Sequence, residues 1–324
     1  MKIQKKLEIG KELQIVAKGH KPTYQKGINV ATTGASLVTP DLLKEVLSAD
    51  WAEGTIFELC RKLPVSTDHN SIKIPVAQEV TRSVAAGILG GLTSSVVAEE
   101  APITLSFPTF QSDTLTLNKN ALMVIATDEI LSDATYLAKY LHDSLAQGLK
   151  FYIDNFILYG DGTTCNGICN SGNRSTGTVT TNTTLALSDL RAMVKKYYGN
   201  PEGVWCMNQS QWNQVVDLVN ADNAYQAIKW HHSEESKEEL TPYLYGYRVI
   251  RKDNMNLNDI VLGHFKQYSV AMIDPRTDIS SELYFASYQS AFRMLYRING
   301  MPAWIGGVTL EDGSTVYPFV YGTH

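Results

Sequence analysis

The stretch Phe156–Gly172, FILYGDGTTCNGICNSG, follows a long amphipathic segment and sets glycines beside two cysteines and an aspartate. It reads as a phosphate cradle, a metal knuckle or a turn that only shapes the backbone, and the choice separates an enzyme from a building block. A P-loop needs a lysine and a Ser/Thr after its last glycine, because the lysine reaches the phosphates and the hydroxyl holds magnesium. GDGTTCNGI has neither. A dinucleotide fingerprint needs a strand before its glycines and a helix after them, whereas here a helical pattern precedes and a threonine-rich loop follows. Cys165 and Cys169 stand four apart, with no second Cys or His pair nearby to close a tetrahedral zinc shell. What remains is a helix stop. Gly160 and Gly162 are expected to take the positive φ values that end a helix and reverse the chain, and Gly167 to serve the next turn.

Upstream, SDATYLAKYLHDSLAQGLKFYIDNFILYG predicts one long helix capped by Ser132 or Asp133, with Leu137, Leu141, Leu145, Leu149, Tyr152 and Phe156 near one face. At 1.5 Å per residue it would span on the order of 40 Å. Before it, Ile72, Ile74 and Val76 alternate as in a strand, and so do Leu105, Phe107, Leu115, Leu117, Leu122 and Val124. Between these lies QEVTRSVAAGILGGLTSSVVAEEA, rich in glycine and small residues. The pattern predicts a hairpin-like excursion over 72–112 whose tip cannot build its own core. Loops this long are usually functional or partner-bound, so it reads either as a surface loop or as an arm lying on a neighbouring subunit. Earlier still, Thr39 before Pro40 predicts a helix start, and everything before it reads as an extended arm.

Downstream, LSDLRAMVKKYY reads as a capped helix, GVWCMN as a buried strand and QSQWNQVVDLVN as another helix, so a compact α/β lobe is expected over 183–275. His231 and His232 fall in KWHHSEESKEEL, a charged run read as a solvated loop. Strands return in YRVI, DIVLGHF, YSVAMID and AFRMLYRING, the last with Phe292, Met294, Tyr296 and Ile298 facing one way and Arg293, Leu295 and Arg297 the other.

A chain of 324 residues with 44% hydrophobic content holds an ample core. No run approaches the roughly 18 apolar residues of a membrane span, and the N-terminus lacks the apolar centre of a signal peptide, so a cytosolic origin without membrane contact is expected. Cys60, Cys165, Cys169 and Cys206 are too few for a disulfide framework. The net charge of −5 hides an asymmetry: residues 1–30 carry seven Lys and two Glu, +5, which leaves −10 on the remainder. A basic arm on an acidic body suits docking onto acidic protein surface, whereas a nucleic-acid binder carries a basic face on its folded part. Glu99 and Glu100 are adjacent, so on a strand they point to opposite faces and cannot converge on a substrate. No GxSxG elbow occurs, and the sequons at Asn173, Asn182 and Asn208 carry no meaning without secretion. No catalytic, cofactor-binding or metal-ligating residue emerges.

These segments resemble, in order, the major capsid protein of tailed bacteriophages, the Hong Kong 97 phage fold. LVTPDLLKEVL resembles the family's opening helix. IKIPVA with EEAPITLSFPTFQSDTLTLNKNALMVIATDEIL resembles its extended loop and the strand leading to the spine helix, and DNFILYGDGTTCNGI resembles the spine-helix end. LYGYRVI, DIVLGHFKQYSVAMID and FRMLYRINGMPAW resemble later segments, so the likeness spans Leu37 to Leu310. The resemblance implies an α+β fold: an N-terminal arm (1–38), a peripheral domain (39–71, then 113–182 with the spine helix), an extended β-hairpin loop (72–112), an axial α/β domain (183–275) and a return to the peripheral domain (276–324).

It also implies a shell-forming, non-enzymatic protein without cofactor, assembled in the host bacterial cytoplasm into pentamers and hexamers of the icosahedral head around double-stranded DNA bound without sequence preference. Separate scaffold, portal and decoration proteins are the expected partners. Lys5, Lys6, Lys11, Arg82, Glu99 and Glu100 are the expected inter-subunit contacts. His264 and Asn299 stand where aspartate is common in the family, and Cys165 and Asn166 where proline is frequent. Some members crosslink a lysine of the extended loop to a neighbour's asparagine, but Ile74–Leu117 contains no lysine, so covalent crosslinking is not expected here. The segment before Thr39 is too short for a cleaved scaffolding domain, and if Met1 is the native start the chain is not trimmed there. An encapsulin-type nanocompartment is the alternative within the fold, disfavoured by the extended arm. A soluble α/β enzyme built around Trp205 and His231 would need convergent titratable groups that the sequence does not show.

Overall fold

The computed structural model describes residues 55–66, 70–94, 96–97, 99, 105–129, 135–162, 165–170, 176–180, 185–221, 227–232, 240–304 and 306–323. The arm, the helix expected from Thr39, the caps at Ser132 and Asp133, and Asn173 and Asn182 lie outside the described residues. The elements in chain order are helix α1 (Thr55–Leu59), strands β1 (Arg61–Leu63), β2 (Ser71–Ala77), β3 (Thr81–Arg82), β4 (Phe110–Thr116) and β5 (Asn118–Thr127), helix α2 (Thr135–Tyr159), β6 (Thr176–Thr180), α3 (Leu187–Lys196), β7 (Val204–Met207) and α4 (Gln209–Ala221). There follow β8 (Ile228–His232), β9 (Leu240–Leu244), β10 (Tyr247–Arg251), β11 (Asp259–Gly263), β12 (Tyr268–Tyr284), β13 (Gln289–Pro302), β14 (Val308–Leu310), β15 (Thr315–Val316) and β16 (Phe319–Thr323).

The chain forms two compact units. Of the described residues, the first comprises those within Lys119–Tyr152 and Ile273–Arg297, and the second those within Gly54–Asn118, Ile153–Met272 and Ile298–His324. In the first, the Ser290 hydroxyl donates to the Asp128 carboxylate at 2.7 Å, and the Asp128 N–H donates to the Tyr288 carbonyl at 3.2 Å. Arg276 and Arg293 both donate to Asp278, at 2.6 and 2.8 Å, and hold its carboxyl below the usual aspartate range. Strand β13 shows the period-2 alternation its sequence predicts: Phe292, Met294, Tyr296 and Ile298 are buried, while Arg293 is exposed.

The long helix runs 25 residues. Leu141, Leu145, Leu149, Ile153 and Ile157 are buried along it, but Tyr152, expected on the same face, is 44% exposed. Each i+4 step turns the buried row by about 40° around the axis, so by Ile153 the buried face has turned about 100° away from Tyr152.

The second unit is built on a seven-stranded sheet of order β6–β16–β11–β7–β10–β9–β8. β7 and β11 are buried throughout, which accounts for the unbroken apolar runs VWCM and IVL: a strand covered on both faces cannot alternate. Leu190 and Met193 of α3 and Trp212, Val215 and Val219 of α4 pack with Trp205, Met207, Ile260 and Leu262 of the sheet into one core. At the start of α3 the Asp189 carboxylate accepts the Ala186 N–H at 3.0 Å, and Lys195 and Lys196 sit in its last turn, where positive charge suits the helix dipole. The β9–β10 hairpin turns through Tyr245 and Gly246, both at positive φ, as a two-residue turn requires.

Two expectations need correction. His231 and His232 belong to strand β8, paired with Thr241 and Leu240, not to a loop: with Ile228 and Trp230 just before them they form a ladder with β9. The C-terminal strand β16 also lies in this sheet, antiparallel to β11 and parallel to β6. The span 276–324 is therefore divided rather than one piece, with Val320 packed in the lobe core.

Candidate assembly surface

The turn after the long helix is closed on itself. The N–H groups of Ile168 and Cys169 donate to the carbonyls of Ile157 and Leu158 at 3.0 and 2.8 Å, satisfying acceptors that a helix end leaves free. Gly167 N–H donates to the Gly160 carbonyl at 3.0 Å, Gly162 N–H to Cys165 at 2.8 Å, and the Tyr268 hydroxyl to the Asn166 carbonyl at 2.9 Å. Gly162 has φ +89. Gly160 does not take the positive φ expected of it. Its requirement is close approach: a Cβ there would lie 2.3 Å from the Cys165 carbonyl oxygen, and one on Gly167 would lie 2.4 Å from the Gly160 nitrogen. Among the described residues these backbone amides are used internally and present no cradle to a phosphate.

Cys60, Cys165, Cys169 and Cys206 are free thiols. Burial pushes the Cys165 and Cys206 thiols up to about 12 and raises Cys60 and Cys169 as well, which keeps all four neutral and poor as nucleophiles or metal ligands. Among the described residues no group of three His, Cys, Asp or Glu is placed to hold a metal ion.

Three polar clusters in the second unit escaped the sequence reading. Asp154, wholly buried on α2, pairs with Lys252 Nζ at 2.9 Å and accepts the Phe57 N–H of α1 at 3.0 Å. Asp259 accepts the hydroxyls of Tyr159 and Tyr321, each at 2.7 Å, and the Asn256 amide at 2.9 Å. Both carboxylates join segments far apart in sequence, so no local spacing reveals them. The third cluster surrounds the buried His264: Tyr198 meets its Nδ1, Glu202 lies 3.0 Å from its Nε2, and Lys266 holds Glu202 at 2.8 Å. Lys266, with His264 second, keeps the Glu202 carboxyl below its ordinary range. Burial raises the Tyr198 phenol to about 12, the wrong direction for a tyrosinate nucleophile. These clusters brace the fold.

The surface that lacks an internal purpose is the hairpin. β2 and β4 pair antiparallel from Ser71↔Thr116 to Ala77↔Phe110, forming a two-stranded ribbon. Its tip is shaped by bridges Ser83↔Gly87 and Ile88↔Leu92 and by positive φ at Gly87, Leu89, Gly90 and Gly91. Among the described residues, ten of the sixteen exposed large apolar side chains fall between Val80 and Phe110, including Val84, Leu105 and Phe107. Such a concentration marks a contact surface. Of the charged candidates, Arg82 is exposed and pairs with Glu79 at 3.8 Å, and Glu99 is exposed; Lys5, Lys6, Lys11 and Glu100 lie outside the described residues.

Residues 34–304 match the profile of the phage capsid family. The chain belongs to that family. It is a major capsid protein, a structural chain that builds the shell of a phage head and resides in the virion. This capsid protein is similar in fold to the capsid of a native GTA particle, with TM-score 0.64 and 18% identity over 92% of this chain and 98% of that one. It is similar to a chain of Microbacterium phage Oxtober96, with TM-score 0.58 and 16% identity over 92% and 99%, and to one of Mycobacterium phage Adephagia, with TM-score 0.59 and 12% identity over 90% and 96%. No match appears among curated protein sequences. The nanocompartment alternative is not favoured by these likenesses.

Proposed function

We propose that this capsid protein closes an icosahedral head of pentamers and hexamers around double-stranded DNA, with the seven-stranded lobe at the symmetry axes and the hairpin and N-terminal arm crossing onto neighbouring subunits. The observation that carries this reading is the hairpin: its root is a full antiparallel ladder, yet its tip leaves apolar side chains in water. Burying them on adjacent copies stabilises the shell by roughly 25 cal/mol per Å² of apolar surface removed from water. The basic arm, with Lys5, Lys6 and Lys11, seeks acidic surface on adjacent copies through pairs that each contribute about 0–1 kcal/mol and recur around the shell. The acidic remainder keeps the packaged genome from adhering tightly. Assembly takes place in the bacterial cytoplasm, with separate scaffold, portal and decoration proteins as partners and no enzymatic step by this chain. Negative-stain microscopy of the purified protein tests the reading: closed shells of head size are expected, and a stable monomer at high concentration would contradict it.

A further inference from the structure

We propose that β14 is an exchange site for the hairpin: an unassembled chain docks its own β3 there, and in the shell the same edge receives β3 of a second copy. The proposal rests on the shell-building reading above. β3 runs parallel to β14 with Thr81 opposite Thr309 and Arg82 opposite Leu310. The Thr309 N–H donates to the Val80 carbonyl at 2.9 Å, and the Val84 N–H donates to the Glu311 carboxylate at 2.8 Å. The contact is therefore made of a short backbone ladder over two residue pairs and one bond to the Glu311 side chain, and it buries little: Val80 and Val84, which flank β3, remain 56% and 90% exposed.

Both sides of this contact survive its opening. The hairpin root keeps its own seven-pair ladder, continued by the Gln78 N–H to the Thr109 carbonyl at 3.0 Å, so β3 leaves β14 without unpairing β2 from β4. β14 stays paired on its other side with β15, through Val308↔Val316 and Thr309↔Thr315. What opening exposes is a short strand edge with unpaired backbone groups, which must find a partner. A second copy carries the same Val80–Val84 segment and restores every one of these bonds, and the exchange brings the apolar tip onto another chain instead of leaving it in water. Exchanging an identical element between protomers in this way is a low-cost route to association, because the closed and exchanged contacts are chemically the same.

Cysteines at Thr81 and Thr309 read the exchange, since these two residues face each other across the strands and a disulfide reports which chains contribute them. T81C/T309C is assembled under reducing conditions, particles are separated from unassembled chain by sedimentation, and each fraction is oxidised and run on non-reducing SDS gels. Unassembled chain is expected to give an intrachain disulfide and a monomer band, whereas particles give a ladder of multimers that dithiothreitol collapses. T81C and T309C alone are expected to give no ladder. Particles that yield only monomers, whether crosslinked within the chain or not at all, overturn the exchange. If T81C/T309C forms no particles, R82C/L310C at the neighbouring pair is read by the same criteria. Wild-type chain that forms no shells would instead overturn the capsid reading itself, so the two failures are distinguishable.

Discussion

The lobe sheet and the hairpin are built from the same residue classes with opposite outcomes. In β7 and β11 every apolar side chain is buried, Trp205, Met207, Ile260 and Leu262 in one core with α3 and α4, whereas the described large apolar side chains between Val80 and Phe110 face water. The lobe completes its core within one chain. Among the described residues the hairpin is a two-stranded ribbon, an arrangement marginal on its own. On the proposed reading, stability resides in the lobe and association in the hairpin, and substitutions separate the two.

The largest effect is expected from Gly160→Val, where a side chain meets the Cys165 and Phe156 carbonyl oxygens, at 2.3 and 2.5 Å from the Cβ alone. Loss of soluble, folded chain, and with it all particles, is the outcome to look for in a solubility and circular dichroism comparison. Next, Asp154→Ala leaves Lys252 buried without its counter-charge and should cost about 3–5 kcal/mol in denaturant unfolding. Trp205→Ala, which empties the centre of the lobe and removes the indole bond to the Leu244 carbonyl at 3.0 Å, falls in the same range of about 3–5 kcal/mol. Either variant unfolding like wild type would mean that the lobe is not where stability resides.

Phe107→Ser inverts the pattern. Phe107 is exposed, so chain stability should change by no more than about 0.5 kcal/mol while particle yield falls several-fold in sedimentation assays. Equal yields would erase the contrast between the regions. The smallest effect belongs to the thiols. Cys165→Ser with Cys169→Ser should leave shells intact by microscopy, since both thiols are free and no metal-holding group forms around them among the described residues. The buried thiols do shape the alkaline limit: their folded values lie near 12 against an ordinary 9.0, so the unfolded chain releases these protons first. Their contribution is complete below pH 9 and is lost as pH rises from about 9 towards 12. A flat stability profile across that window would contradict the burial of Cys165 and Cys206.

Local patterns made several elements legible. The i+4 leucines of α2 and the alternation of β13 each report a periodic buried face, and the apolar run of β7 reports burial on both sides, so a linear reading finds them. The hairpin was legible in another way, as a length of chain with strand-forming ends and a middle too poor in large side chains to form a core. Gly160 was placed correctly at the helix end, but with the wrong reason: sequence suggests conformational freedom, and only the carbonyls of Phe156 and Cys165 show that space is what matters.

The sequence by itself determined that the chain carries a long helix, a lobe of mixed helix and strand, and an unusually long excursion between strands, because periodicity and turn residues are local properties. Only the tertiary structure decided that Asp154 meets Lys252, that Asp259 gathers Tyr159 and Tyr321, that β16 closes the lobe sheet, and that β3 rests on β14. Each of these contacts joins positions tens to hundreds of residues apart, where partner choice depends on how whole elements pack and leaves no mark in the spacing of neighbours.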